Sequence, residues 1–148
     1  KMLLPQFITR TKRCAQIDLS STAAITPIPL FSTYAATKSV NEFVSKGLST
    51  YVPNVDILCV EPGFVSTSMT QNKSTESKDP MFKVATADDC AEGIFRCLGQ
   101  SNLTYGAWWH DLVFPFNSAA AKLMPRDLAG FTTKRLKPMN DLEAWKAI

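Results

Sequence analysis

The sequence predicts an α/β domain containing half of a doubly wound parallel sheet with crossover helices. Two observations carry that prediction. Strand-like apolar runs alternate with segments of helical periodicity along the chain. The clearest strand, Val55-Asp56-Ile57-Leu58-Cys59-Val60, is apolar almost throughout, as a strand buried on both faces should be. Alternation of this kind implies parallel strands joined by helices.

Each element has a local cause. Residues 2–13 carry an apolar stripe (Leu3, Leu4, Phe7, Ile8) and end in Arg10, Lys12 and Arg13, cations suited to the negative end of a helix. Cys14–Leu19 is strand-like and runs into Ser20-Ser21-Thr22, after which Pro27 and Pro29 mark a loop. Helical periodicity resumes at about Thr33 and lasts to Tyr51. It places Tyr34, Lys38, Asn41 and Ser45 on one face and Val40, Phe43, Val44 and Leu48 near another. Glu42 and Lys46 form a favourable i,i+4 pair, and Pro53-Asn54 ends the helix. After the Val55–Val60 strand comes Glu61-Pro62-Gly63, then a polar stretch over 65–83 whose length suits a substrate-binding loop. Thr86 with Asp89 three residues on is a weaker capping box, opening a helix that should reach Leu98 and stop at Gly99. Tyr105-Gly106-Ala107-Trp108-Trp109 reads as another short strand, and 111–148 as a C-terminal extension. No internal repeat or low-complexity tract interrupts this order.

Composition sets the outer bounds. The 148 residues suffice for one domain, and 45% hydrophobic against 20% charged content is that of a globular protein rather than a disordered one. A net charge of +3, with no basic run interleaved with aromatics, argues against a nucleic-acid partner. Lys134, Arg135 and Lys137 read as a solvated helix end. Cys14, Cys59, Cys90 and Cys97 are scattered without metal-ligand spacing, so reduced thiols in an intracellular, cytosol-like compartment are expected, the mitochondrion included. The sequons at Asn72 and Asn102 would matter only in a secreted chain. No run of about eighteen apolar residues is present to span a bilayer, and no signal-peptide pattern is seen. The start at Lys1, inside an amphipathic segment, suggests a piece of a longer chain.

Three features fall at strand ends or on the helix after one: Ser20-Ser21, Tyr34-x-x-x-Lys38, and Pro62-Gly63-x-x-x-Thr67. In an open parallel sheet ligands bind beyond the carboxyl ends of the strands, so the three should share one crevice. Tyr34 and Lys38 are one helical turn apart. A phenol, with an ordinary pKa of about 10, needs its anion stabilised to move protons near neutrality, and an adjacent ammonium does this. Tyr34 would then give a proton to a carbonyl oxygen that gains a hydride, or take one from an alcohol. Ser21 would hydrogen-bond the same oxygen.

Through Ile17-Asp18-Leu19-Ser20-Ser21, Tyr34-Ala35-Ala36-Thr37-Lys38 and Glu61-Pro62-Gly63-Phe64-Val65-Ser66-Thr67, the sequence resembles the short-chain dehydrogenase/reductase family from about residue 3 to 110. The resemblance implies the C-terminal half of a Rossmann-like fold, with a catalytic serine thirteen residues before the tyrosine, which selects Ser21. It further implies that Tyr34 and Lys38 face the nicotinamide ribose. The Pro62-Gly63 turn would pass the nicotinamide, with the Val65 backbone and the Thr67 hydroxyl near its carboxamide. Leu4-Pro5, the Pro27-x-Pro29 loop and Tyr-Ala-Ala-Thr-Lys look like the very-long-chain 3-oxoacyl-CoA reductase and 17β-hydroxysteroid dehydrogenase type 12 branch. That branch implies NADP as cofactor, with NAD open, a 3-oxoacyl-CoA or steroid-like lipid ketone as substrate, and association with the endoplasmic reticulum membrane.

The sequence departs from the family pattern in lacking its glycine-rich turn and early strands, so the dinucleotide-binding half and its pyrophosphate-cradling helix are absent from these residues. A non-catalytic, reductase-like subunit of a larger assembly is the alternative reading. A Ser21-His110-Asp111 hydrolase is disfavoured because no G-x-S-x-G elbow is present; His110, at a strand end, reads as structural. Trp108, Trp109, Leu112, Val113, Phe114 and Phe116 read as sheet packing, with a peripheral membrane contact, a homo-oligomer or a subunit interface as the alternatives.

Overall fold

The computed structural model describes residues 4–25, 31–68 and 83–123. Leu3, the Pro27/Pro29 loop, Asn72 with the rest of 69–82, and the extension beyond 123 with Lys134, Arg135 and Lys137 lie outside the described residues. Three parallel strands form one sheet in the order β1 (Cys14–Leu19), β2 (Val55–Val60), β3 (Leu103–Thr104). β1 and β2 run in register from Cys14 opposite Val55 to Leu19 opposite Val60, and β2 continues to β3 through Cys59–Leu103 and Val60–Thr104. Short helix α1 spans Leu4–Ile8, α2 (Ser32–Tyr51) crosses from β1 to β2, α3 (Ala87–Cys97) crosses from β2 to β3, and α4 covers Trp108–Leu123. This is the α/β architecture expected.

β2 is the centre of the fold. Leu58, Cys59 and Val60 are wholly buried, because the strand is flanked by a neighbour on each edge and covered by helices. Val52, Val55 and Ile57 form a core cluster against which Leu4, Phe7, Cys14 and Leu48 pack. The capping box on α3 is complete: the Thr86 hydroxyl accepts from the Asp89 amide at 3.1 Å, and the Asp89 carboxylate accepts from the Thr86 amide at 3.1 Å. The helix ends at Cys97, and Gly99 takes a φ of 75° just beyond it.

Two expectations need correction. The first helix stops at Ile8 rather than reaching residue 13. The Thr9 hydroxyl donates to the Pro5 and Gln6 carbonyls at 3.1 and 3.2 Å, closing the turn, and Arg13 reaches instead to Asp56 on β2 at 2.7 Å. Residues 105–109 are not a strand. β3 ends at Thr104, Gly106 turns the chain at φ 86°, and Trp108 and Trp109 open α4, so His110 lies in a first helical turn. The cause is Asp111, whose carboxylate accepts from the Thr104 hydroxyl at 3.0 Å and from the Tyr105 amide at 2.6 Å, fastening the helix start to the strand end.

The sequence reading left open which face of the amphipathic helix α2 meets the sheet. Its polar face lies on β1: Lys38 Nζ and Asn41 Nδ2 donate to the Leu19 carbonyl, and the buried Ser45 hydroxyl donates to Asp18 at 2.6 Å. Val40, Phe43 and Val44 are exposed.

Candidate active site

The site assembles at the carboxyl ends of β1 and β2. The ladder continues past β1 as the Ser20 amide donates to the Val60 carbonyl at 2.7 Å. Strand alternation then sends the two serines different ways. Ser20 is buried and its hydroxyl donates to the Lys38 carbonyl at 2.7 Å. Ser21 is half-buried, and its oxygen accepts from the Ala23 amide at 3.2 Å, capping the 3₁₀ turn Thr22–Ala24. A hydroxyl that accepts this bond still holds its own hydrogen to donate. Next to it, the Thr22 amide and hydroxyl both donate to the Pro62 carbonyl, at 3.1 and 3.3 Å, which ties the Ser21 turn to the Pro62-Gly63 turn.

On α2, Lys38 Nζ lies 5.7 Å from the centroid of the Tyr34 ring and donates to the Leu19 carbonyl at 3.1 Å. The ammonium thus lies over the Tyr34 ring and is also anchored to the end of β1. Tyr34 keeps 43% of its surface exposed, so a ligand can reach it. Val65 bridges in parallel to Ala85: the Ser66 amide donates to the Ala85 carbonyl and the Ala85 amide to the Phe64 carbonyl, each at 2.8 Å. Thr67 follows, half-buried. Ser21, Tyr34, Lys38, Pro62 and Gly63 therefore gather at one edge of the sheet, with Val65 and Thr67 on the segment leaving it.

Buried charge shapes the region behind. Glu61 is 1% exposed at the end of β2. Burial, and next the Glu61 charge, push the Cys59 thiol up to about 11 and the Tyr105 phenol up to about 12. Neither group is suited to proton transfer near neutrality.

The donors present fit the nicotinamide end of a dinucleotide: an accessible phenol, an ammonium one turn on, a hydroxyl with a hydrogen to give, and a turn alongside. Gly63 fits less directly. A Cβ there would lie 2.8 Å from Phe114 Cε2 and Cζ and 3.2 Å from His110 Cε1, so protein rings fill the space on the side where a side chain would project. The hydrolase alternative fails on geometry. His110 Nε2 donates to the Lys83 carbonyl at 3.0 Å, while Asp111 is engaged by Thr104 and Tyr105. Among the described residues no three His, Cys, Asp or Glu side chains converge as a metal site, and no helix is long and apolar enough to cross a membrane.

Sequence reasoning missed Ser20, Thr22 and Asn41 as supports of the site. The signal was available for Asn41, which shares the helical face of Tyr34 and Lys38; for Ser20 and Thr22 the only hint was that strand neighbours alternate.

A family model described as short chain dehydrogenase matches residues 1–78. The very-long-chain 3-oxoacyl-CoA reductase-A of Danio rerio is 34% identical over 73 residues, which is 48% of this chain and 23% of that protein. A 3-oxoacyl-[acyl-carrier protein] reductase with bound NAD from Brucella melitensis superposes with a TM-score of 0.55 at 23% identity, over 72% of this chain and 45% of that one. A 3-oxoacyl-[acyl-carrier protein] reductase from Brucella melitensis ATCC 23457 gives 0.53 at 22% identity, over 75% and 41%. The chain thus spans about a quarter of the curated relative and under half of the solved structures, whose likeness shows the fold alone. The match over just over half of its residues, on a parallel sheet that gathers Ser21, Tyr34 and Lys38 at one edge, means that this chain belongs to the short-chain dehydrogenase/reductase family.

Proposed function

We propose that this chain supplies the proton-transfer residues of an NAD(P)H-dependent reductase acting on a ketone, with a 3-oxoacyl-CoA or steroid-like lipid as the substrate class. The observation that carries this reading is the Lys38 ammonium, 5.7 Å from the accessible Tyr34 ring and fixed to the Leu19 carbonyl. In this reading the bound nicotinamide supplies the hydride. Tyr34 donates its phenolic proton to the oxygen of the ketone, and Ser21 donates a hydrogen bond to the same oxygen as negative charge develops there. Lys38 holds positive charge beside the phenol and reaches the ribose. The Pro62-Gly63 turn, the Val65 backbone and the Thr67 hydroxyl orient the nicotinamide face. The partial likeness to the zebrafish very-long-chain 3-oxoacyl-CoA reductase-A supports the 3-oxoacyl-CoA class; NADP as the cofactor, with NAD open, belongs to the same reading. A peripheral contact with the endoplasmic reticulum membrane belongs to the same reading; the exposed stripe Trp108, Leu112 and Phe116 on α4, at i, i+4 and i+8, is its candidate surface.

The test is the protein at its full natural length, followed by oxidation of NADPH in the presence of a 3-oxoacyl-CoA. Tyr34→Phe should lower turnover by about 10²-fold or more, the contribution of a positioned general acid. Equal rates in the two proteins would remove the enzymatic reading and leave the structural-subunit one. Sedimentation of the same protein with lipid vesicles tests the membrane contact.

A further inference from the structure

His110 is an expensive residue where it stands. It is 1% exposed, packed between the rings of Trp109 (centroids 5.7 Å) and Phe114 (5.1 Å). Nδ1 has no hydrogen-bond partner among the described residues. A phenyl ring would fill such a space without burying that nitrogen. What the imidazole adds is one bond, from Nε2 to the Lys83 carbonyl at 3.0 Å.

That bond closes a chain of contacts leading to the nicotinamide-side turn. Asp111, the next residue, is fixed to the end of β3 by the Thr104 hydroxyl and the Tyr105 amide, so the first turn of α4 cannot shift relative to the sheet. Lys83 is tied to this turn twice, by its carbonyl to His110 and by its ammonium, 4.1 Å from the centroid of the Trp109 ring. Two residues on, Ala85 is bridged to the Phe64–Ser66 segment. His110 Cε1 itself lies 3.2 Å from where a Cβ on Gly63 would be. The imidazole thus touches the turn from behind and sets, through Lys83 and Ala85, the place of the backbone that leaves it.

We propose that His110 is a positioning residue for the nicotinamide end of the cofactor: it backs the Pro62-Gly63 turn and, through its hydrogen bond to Lys83, fixes the Gly63–Ser66 backbone against which the nicotinamide lies. The proposal rests on the reductase reading above and adds to it a residue that does not itself touch the cofactor.

The experiment uses the full-length protein and equilibrium binding of two probes, read by fluorescence titration and calorimetry. One is NADPH, or NADH if that binds more tightly; the other is the matching fragment without nicotinamide, phospho-ADP-ribose or ADP-ribose. His110→Phe keeps a ring and removes the donor. It should weaken the dinucleotide by about fivefold, the ratio one neutral hydrogen bond carries, and leave the fragment within about twofold. His110→Gln, whose amide can donate to Lys83, should restore dinucleotide affinity to about twofold of the wild type. Unchanged dinucleotide binding in His110→Phe would overturn the proposal, as would equal weakening of both probes, which marks general damage to the fold. Should His110→Phe fail to fold, a fivefold loss in a folded His110→Gln would overturn it as well. A wild-type protein that binds neither dinucleotide overturns the reductase reading itself, whereas intact binding with a Tyr34-dependent reaction leaves any failure at His110 specific to this proposal.

Discussion

Replacing Gly93 and Gly47 by alanine should move stability in opposite directions, although both residues are in helices. Gly47, in α2, is exposed, and a Cβ there meets nothing within 4 Å. Gly47→Ala should therefore gain the helix-propensity difference, about 0.5–1 kcal/mol. Gly93, in α3, is buried against the turn that follows β3. A Cβ there would lie 1.7 Å from the Gly106 carbonyl oxygen and 2.7 Å from its carbon, both backbone atoms that cannot rotate aside. Overpacking of a rigid neighbour costs up to about 3 kcal/mol, and the propensity gain of about 1 kcal/mol offsets only part of it. The net loss is about 2 kcal/mol. Chemical unfolding of the full-length protein and its two variants would measure both, with a separation of about 3 kcal/mol between them. Gly93 lies against the strand-to-helix turn carrying Tyr105 and Gly106, three residues before the Trp109-His110 pair, so its variant should also weaken dinucleotide binding. A Gly93→Ala protein as stable as the wild type would show that α3 does not approach Gly106 this closely, and the placement of α4 behind Gly63 would lose its support.

Thr86→Ala should destabilise the protein by about 1 kcal/mol through loss of the α3 cap, which matching unfolding curves would show. Hydrogen bonds from the Thr86 hydroxyl and amide hold the Asp89 carboxyl below its ordinary range. Since the folded-state value is the lower one, the stability it contributes is present above the unfolded carboxylate range and is lost as pH falls through the folded value. Asp89→Asn should flatten the acid limb of the stability profile, and an unaltered limb would count against the capping box. At the alkaline end, the raised values of Cys59 and Tyr105 favour the protonated forms in the folded protein, so stability should fall as pH rises from about 9 to about 12. The wholly buried Cys59 should also resist alkylation at pH 8, with about one thiol in a thousand ionised. Mass spectrometry of iodoacetamide-treated native protein checks this, and rapid modification of Cys59 would contradict its burial.

How far the sequence could be read depended on whether the signal was local. β1, β2, α2 and α3 were legible because each carries its own cause: a continuous apolar run, a helical period, a breaker at Pro53-Asn54, a cap at Thr86. The stretch 105–109 was not, since aromatic residues favour strands on average. What overrides that preference is the carboxylate of Asp111 reaching back to Thr104 and Tyr105, a tertiary fact without a sequence pattern of its own. For α2 the period was correct, but the direction in which the helix faces could not follow from it. Hydrophobicity would bury Val40, Phe43 and Val44. The structure instead sets the polar side on β1, where Lys38, Asn41 and the buried Ser45 each find an acceptor. At the site, the choice of Ser21 came from a family spacing, whereas the burial of Ser20 follows from strand alternation.

The packing of α2 by its polar side is also what holds the Tyr34–Lys38 pair at the end of β1. Ser20 donates to the carbonyl of Lys38, while the ammonium of Lys38 donates to the carbonyl of Leu19, the residue just before Ser20. This reciprocal clamp joins one residue of the helix to two consecutive residues at the strand end, so the helix can neither slide nor roll without breaking both bonds. Had α2 packed by its apolar side, the phenol and ammonium would point away from the Ser21 and Pro62 turns, and a shared spacing of four residues would have had no chemical consequence. The polar contacts between α2 and β1 turn a common helical spacing into a defined arrangement of phenol, ammonium and hydroxyl at one edge of the sheet, the arrangement on which the proposed proton transfer depends.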